Sequence, residues 1–208
     1  MVTQELSFPI IWENGSQAGY GGNQEWFLRS FQRKAGCASV TGANLAAYYS
    51  AQFSACASLY EGQTDRFSKE EFISGMEAVY RYMTPGPAGF PVARRFANRF
   101  LRFAADRGVN FQTHTMFSRN NWEERLAFVK TSIAQKNPLA LLILRHRAPE
   151  MKENTWHWVT ITGWMQDANG EQVIFSNYGV REQYNAQMLF ENHPQNVIKM
   201  VRFSQPLP

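Results

Sequence analysis

Two side chains in this 208-residue chain stand where covalent chemistry would need them, Cys37 and His157. Cys37 follows Gly36 and opens a run rich in small residues, Ala38-Ser39-Val40-Thr41-Gly42-Ala43-Asn44-Leu45-Ala46-Ala47-Tyr48-Tyr49. Apolar positions 40, 43, 47 and 51 recur at helical spacing. A cysteine at a helix start lies among free backbone N–H groups, whose partial positive charge favours a thiolate. The same groups can donate to the oxyanion that forms when a carbonyl is attacked. Gly36 would let the backbone approach a substrate closely. The competing reading of Cys37 is a small buried residue at the start of a packed helix. Cys56 lies nineteen positions on, among Ser54, Ala55, Ala57 and Ser58, and reads as core.

His157 lies in the aromatic run Thr155-Trp156-His157-Trp158-Val159-Thr160-Ile161-Thr162-Gly163-Trp164. A single histidine on an apolar strand is commonly a satisfied core residue. This one stands at the start of the strand, where an imidazole can reach a cleft, and later Asn and Asp residues are available to orient it. A nucleophilic cysteine needs such a base within hydrogen-bond reach, and the base needs an orienting partner. His114, His146 and His193 lack that company and read as surface or structural. Arg145 and Arg147 flank His146 and disfavour its protonated form. Neither a C-x-x-C nor an H-x₃₋₅-H spacing occurs, so no metal site and no cofactor is expected.

These residues must be carried by helices early in the chain and strands late, an α+β order. The small-residue run predicts a helix buried on most sides, with Cys37 at its N-terminus. Extended straight to Cys56, it would separate the two thiols by roughly 28 Å, too far for a disulfide. Free thiols fit a reducing compartment, or an enzyme that needs its thiol free. The Gly- and Asn-rich first 25 residues read as loop with one short strand over 8–12. Ser68-Lys69-Glu70-Glu71 is a capping-box signature opening a helix to about Met83. Pro85-Gly86-Pro87-Ala88-Gly89-Phe90-Pro91 is a turn or linker, and Pro91 suits the first position of a helix ending near Gly108. A strand over 109–115 follows, then a helix capped by Asn120 or Asn121 and running to Lys136. Strands are predicted over 139–144, 156–164, 172–176 and 197–203. In the strand over 156–164, His157, Val159 and Ile161 fall on one face and Trp158, Thr160 and Thr162 on the other. The whole chain, 1–208, reads as one domain, with roughly 20–136 mainly helical and 137–208 mainly β.

Three segments, in order, carry a resemblance. Gly36-Cys37-Ala38-Ser39-Val40-Thr41-Gly42-Ala43-Asn44 is similar to the Gly-Cys-Gly-x-x-Ala-x-x-Asn helix start of bacterial papain-like, C39-like cysteine peptidases. Trp156-His157-Trp158-Val159-x-Ile161-Thr162-Gly163-Trp164 resembles their His-bearing strand. Phe175-Ser176-Asn177-Tyr178-Gly179 resembles the strand end that carries their third residue. The resemblance implies a papain-like fold, in which a helical lobe with the nucleophile's helix packs on an antiparallel β-sheet lobe. It also implies attack by Cys37 on an amide or ester carbonyl with His157 as base, and a peptide or protein as substrate. Ala38 stands where the family has glycine. With Gly179 as the anchor, the orienting position falls on Ser176 and its neighbour is Asn177. Adjacent strand residues point to opposite faces, and Asn177 is preferred because its carboxamide oxygen can accept from an imidazole N–H. Asp167, in the turn-like stretch 166–170, is a third choice. For the family's oxyanion glutamine, Gln24 in its Gly-rich loop is preferred to Gln32, since loop backbone can deliver an amide into a cleft.

Composition limits the alternatives. Apolar residues make up 44% of the chain and charged residues 18%, an ordinary globular balance. The net charge of +4 and sequence pI near 9.2 favour mildly acidic partners. No Lys/Arg-rich run or zinc-finger spacing accompanies them, so nucleic acid is not an expected partner. Arg94, Arg95, Arg99 and Arg102 form the largest basic cluster, read as a solvated helix face, with an acidic partner as the lesser alternative. Neither a signal peptide nor a membrane span is visible, which suggests a cytoplasmic location or a non-standard export route. Trp156, Trp158, Trp164 and Tyr178 are available to line a cleft or fill a core. Besides hydrolysis, the same Cys–His pair would serve an acyltransferase or crosslinking enzyme, and a degenerate site would leave a binding module.

Overall fold

A computed structural model describes residues 1–117 and 120–204. The chain opens with β1 (Val2–Glu5), β2 (Ile10–Glu13) and β3 (Ser16–Tyr20). A short helix, α1 (Ser30–Ala35), leads into the long α2 (Cys37–Gln52). After β4 (Phe67–Ser68) come α3 (Lys69–Tyr80) and α4 (Ala93–Ala105). The rest is β5 (Gln112–Met116), α5 (Trp122–Ala134), β6 (Leu139–Arg145), β7 (His157–Asp167), β8 (Gly170–Asn177), β9 (Val180–Asn185), α6 (Ala186–Phe190) and β10 (Val197–Ser204).

The architecture is α+β, with helices packed on an antiparallel sheet. Its strands run β5-β10-β6-β7-β8-β9. β6 pairs with the first part of β7, and β1 takes the same edge further along, from Glu5 opposite Gly163. A small second sheet, β3-β2-β4, holds the N-terminal hairpin. The helical and β parts therefore interleave, since β1 and β5 precede residue 137 yet belong to the main sheet.

The sheet is covered on both faces. On one, α2 and α4 pack with Leu142, Trp158 and Phe203, and α3 lies against α2. On the other, Leu126, Val129 and Ile133 of α5 meet Leu141, Val159 and Ile161. The period-2 alternation along β7 produces this split of Trp158 from Val159 and Ile161. In α4 the 3.6-residue period places Phe96, Phe100 and Phe103 inward, with Phe96 stacked on Trp158 at 4.3 Å and Phe100 beside Phe203 at 4.6 Å. Each such ring is worth roughly 1.5–3 kcal/mol in burial. The arginines of α4 stay outside.

Local chemistry accounts for most element ends. The Ser68 hydroxyl accepts from the Glu71 N–H as the sequence placed it, and of the two candidates for the later cap it is the Asn121 carboxamide that accepts from the Glu124 N–H. The helix after Ser68 stops at Tyr80 rather than Met83, and Pro91 lies just outside α4, whose cap is Val92. The N-terminal loop is corrected to three strands, and α2 ends at Gln52, so Cys56 lies in a following 3₁₀ turn. Cys37 and Cys56 are not joined in a disulfide. Among the described residues no helix is long and apolar enough to cross a membrane.

Two hairpin turns make a useful contrast. Asn14-Gly15 joins β2 to β3 with φ of 50° and 83°. Positive φ at both central residues is the signature of the type I′ turn, and Asn-Gly is its favoured sequence. Tyr178-Gly179 joins β8 to β9 with φ of 46° and 74°. A bulky aromatic residue at positive φ is an outlier; what holds it there belongs to the site.

Candidate active site

Cys37 is the first residue of α2, and its cap, Gly36, supplies no side chain. The first intrahelical bond runs from Val40 N to Gly36 O at 3.0 Å, so the N–H groups of 37–39 have no acceptor within the helix. Burial pushes the Cys37 thiol up; backbone N–H groups of Trp158, Ala38 and Cys37 itself pull the other way without cancelling it. The helix is enclosed on nearly every side, which explains its run of Ala, Ser and Gly. Asn44, two turns on, accepts from Gly22 N at 2.8 Å and donates to Thr160 and Ser176 hydroxyls at 3.1 and 3.3 Å. It ties α2 to the Gly-rich loop and to β7 and β8.

Gly36 is needed for packing. A Cβ there would stand 2.4 Å from Gln32 O and 2.6 Å from the Phe27 ring. The neighbour that must yield is backbone. Gly36→Ala should therefore cost about 1–3 kcal/mol, read as a lowered urea midpoint at unchanged m-value. No loss would mean that the turn before α2 relaxes freely.

His157 begins β7 and is buried. Its Nε2 lies 2.9 Å from Asn177 Oδ1 at the end of β8. The orientation of that carboxamide is fixed from the other side. Asn177 Nδ2 donates to Asn154 Oδ1 at 2.8 Å and to Glu182 Oε2 at 3.1 Å, both pure acceptors. Tyr184 closes the network, accepting from Asn154 Nδ2 at 2.8 Å and donating to Glu182 at 3.1 Å. With Oδ1 turned to the ring, Nε2 carries the hydrogen, and Nδ1 of the neutral imidazole is the bare, basic nitrogen. Burial pushes His157 down to about 4, against the opposing pull of the Asn177 hydrogen bond. Near neutrality the cavity is thus lined by a neutral thiol and a neutral imidazole.

Tyr178 stacks on the His157 ring, with centroids 4.7 Å apart and planes within 5°. This contact is what opposes the strain of its turn position. Tyr178→Asn would supply the turn's favoured residue but open the imidazole to water. The depressed His157 pKa should then rise from about 4 toward the ordinary 6.5, read by the C2-proton titration in NMR. An unmoved titration would show that the tyrosine does not shield the ring.

The other predicted residues divide clearly. Gln24, in a 3₁₀ turn capped by Asn23, lines one small cavity with Cys37, His157, Asn177 and Tyr178. Its Nε2 donates to Arg33 O at 2.7 Å and more distantly, at 3.4 Å, to the Tyr178 hydroxyl, while its buried Oε1 has no partner among the described residues. Gln32 is spent elsewhere, donating to both Glu77 carboxylate oxygens at 2.8 Å. Ser176 also lines the cavity, but its hydroxyl donates to Tyr20 O at 2.7 Å. Asp167 accepts from Asn169 N at 2.7 Å in the turn between β7 and β8. His146 is held at both ring nitrogens, by Leu189 O and Ala148 N, each at 3.1 Å. Its pKa is lowered mainly by burial, with Arg147 contributing less. Trp164 stands apart, under Lys130. Among the described residues no cluster of three or more His, Cys, Asp or Glu could hold a metal ion.

The segment read as a linker is a cleft wall. The indole N–H groups of Trp156 and Trp158 donate to Ala88 O at 3.0 Å and Phe90 O at 2.7 Å, pinning 87–91 beside Cys37. Between that segment, α1 and β6 lies a mostly apolar cleft of about 300 Å³ reaching Cys37, lined by Phe31, Phe90, Leu142, Leu144 and Trp156 among others. Trp156 holds its place at φ 57°, a second strained aromatic next to His157. Sequence reasoning missed Asn154, Glu182 and Tyr184. Only the spacing of 182 and 184, two apart on one strand face, signalled that they act together.

No protein-family model matches the chain, and no curated protein sequence matches it significantly. Among solved structures it is similar to the crystal structure of the Pseudomonas avirulence protein AvrPphB, at 15% identity and a TM-score of 0.39, over 85% of this chain and 95% of that one. That likeness is too low to establish a shared fold.

Proposed function

We propose that the protein is a papain-like cysteine hydrolase acting on peptide bonds. The observation that carries the reading is the locked Asn177–His157 pair. Its carboxamide is fixed by Asn154 and Glu182, so the imidazole keeps a bare Nδ1 in a cavity shared with a cysteine at an uncapped helix start.

In this reading Cys37 Sγ attacks the scissile carbonyl as its proton passes to His157 Nδ1, so no thiolate need exist beforehand. Asn177 Oδ1 stabilises the imidazolium that forms. The developing oxyanion accepts from backbone N–H at the start of α2 and from the Gln24 Nε2 hydrogen that has only the long Tyr178 contact. The imidazolium then protonates the leaving amine. Water, deprotonated by His157, releases the acyl group from sulfur. The cleft beside Cys37 suits a bulky apolar side chain near the scissile bond.

Turnover is tested with peptides carrying Leu or Phe at the centre. Cleavage that is lost in Cys37→Ala, with the circular dichroism spectrum kept, supports the reading; cleavage that persists overturns it. Transfer of the acyl group to a peptide amine in preference to water would move the assignment to an acyltransferase.

A further inference from the structure

Beyond Phe90 and Pro91 the wall of the cleft continues directly into α4, and α4 presents a cationic face. Arg94, Arg95, Arg99 and Arg102 fall within one side of the helix, about 140° wide at 100° per residue. All are exposed or half-exposed. Among the described residues none of the four has a carboxylate within ion-pair distance. The helix has no acidic residue in its first turn, and Asp106 at its far end is engaged by the Tyr82 hydroxyl at 2.9 Å. Two arginines at the positive end of a helix dipole weaken the helix rather than stabilise it, so local stability does not account for them.

The face is joined to the cleft. Arg95 lies over the Phe90 ring at 4.7 Å, and Phe90 lines the cleft that reaches Cys37. Across the cleft, Lys34 is the only charged residue in the lining, which contains no carboxylate. Cations thus stand on both sides of an apolar slot. The span from Arg94 to Arg102 is about 12 Å of helix, the length of three to four residues of extended peptide.

We infer that α4 is an exosite selecting substrates whose bulky apolar residue near the scissile bond is flanked by acidic residues. This rests on the hydrolase reading for its meaning, but not for its test. A fluorescent nine-residue peptide with a central leucine between glutamates is compared with its glutamine twin, by anisotropy on the full-length Cys37→Ala protein. The expected result is roughly tenfold tighter binding of the acidic peptide at about 50 mM salt, fading at about 300 mM as exposed pairs are screened. The preference should collapse in the variant carrying Arg94→Gln, Arg95→Gln, Arg99→Gln and Arg102→Gln, and shrink in Arg99→Gln/Arg102→Gln, which leaves the first turn intact. Equal binding of the two peptides, a preference that survives neutralisation, or binding of phosphatidylserine vesicles with no peptide preference would overturn the inference. An acidic preference in a protein that cleaves neither peptide would sink only the hydrolase reading. Cleavage of both peptides without preference would sink only the exosite.

Discussion

Replacing Cys37 with alanine is expected to abolish turnover, by on the order of 10⁴-fold or more, while Cys56→Ala leaves the rate intact. The asymmetry follows from their settings. Cys37 stands half-buried at the N-terminus of α2 and lines the cavity shared with His157. Cys56 is fully buried in the helical core, where truncation costs stability rather than chemistry. His157→Ala is expected to slow acylation by about 10² to 10⁴-fold, the usual worth of a positioned general base. The double variant should be no slower than Cys37→Ala alone, because a nucleophile and its base act as one unit. A double variant slower by the product of the two effects would mean that the residues contribute independently.

The second large effect is on stability against acid. His157 titrates near 6.5 in the unfolded chain and near 4 in the folded one, chiefly because burial disfavours its charged form. Above pH 6.5 the group is neutral in both states and contributes no pH dependence. Between 6.5 and 4 the unfolded chain binds a proton that the folded chain refuses, so unfolding becomes easier as pH falls. Below 4 both states are protonated and the contribution levels off. The full difference is worth about 3 kcal/mol. Urea titrations at several pH values should show the wild type losing that much more than His157→Gln across this window. The comparison cancels the carboxylates, such as Glu5 held low by Arg181, whose loss begins at lower pH. Parallel losses in the two proteins would show that His157 is not desolvated in the fold.

Much of this was legible in the residues. The caps at Ser68 and Asn121, the small-residue helix at Cys37 and the alternation of β7 depend on neighbours in sequence, and local chemistry decides them. β1 and β3 were not visible, because Val-Thr-Gln-Glu and Ser-Gln-Ala-Gly-Tyr are short and polar. β1 becomes a strand only by pairing with β7, some 160 residues away. The site divides the same way. Position within their own elements made Cys37 and His157 candidates, and the ordered resemblance of three segments paired them. Whether Asn177, Ser176 or Asp167 faces the ring depends on the end of β8, and the fate of Gln32 on Glu77 in α3. Beyond the spacing of 182 and 184, the Asn154–Glu182–Tyr184 network could not be read from sequence, since it joins a turn and a strand that meet only in the folded sheet. Tyr178 shows a conflict of levels: turn chemistry favours Asn, and the stacking on His157 outweighs it.

The most direct test of the central claim is acyl trapping. The protein is incubated with a p-nitrophenyl ester of an apolar acid, quenched in acid before the thioester hydrolyses, and mapped by peptide mass spectrometry. Simple alkylation would not suffice, because Cys37 is more exposed than Cys56 and would react faster for that reason alone. The account predicts an acyl group on Cys37, none on Cys56, and at least a hundredfold slower appearance in His157→Ala. Acyl transfer to neither cysteine, or equal labelling of Cys37 with and without the imidazole, would contradict it.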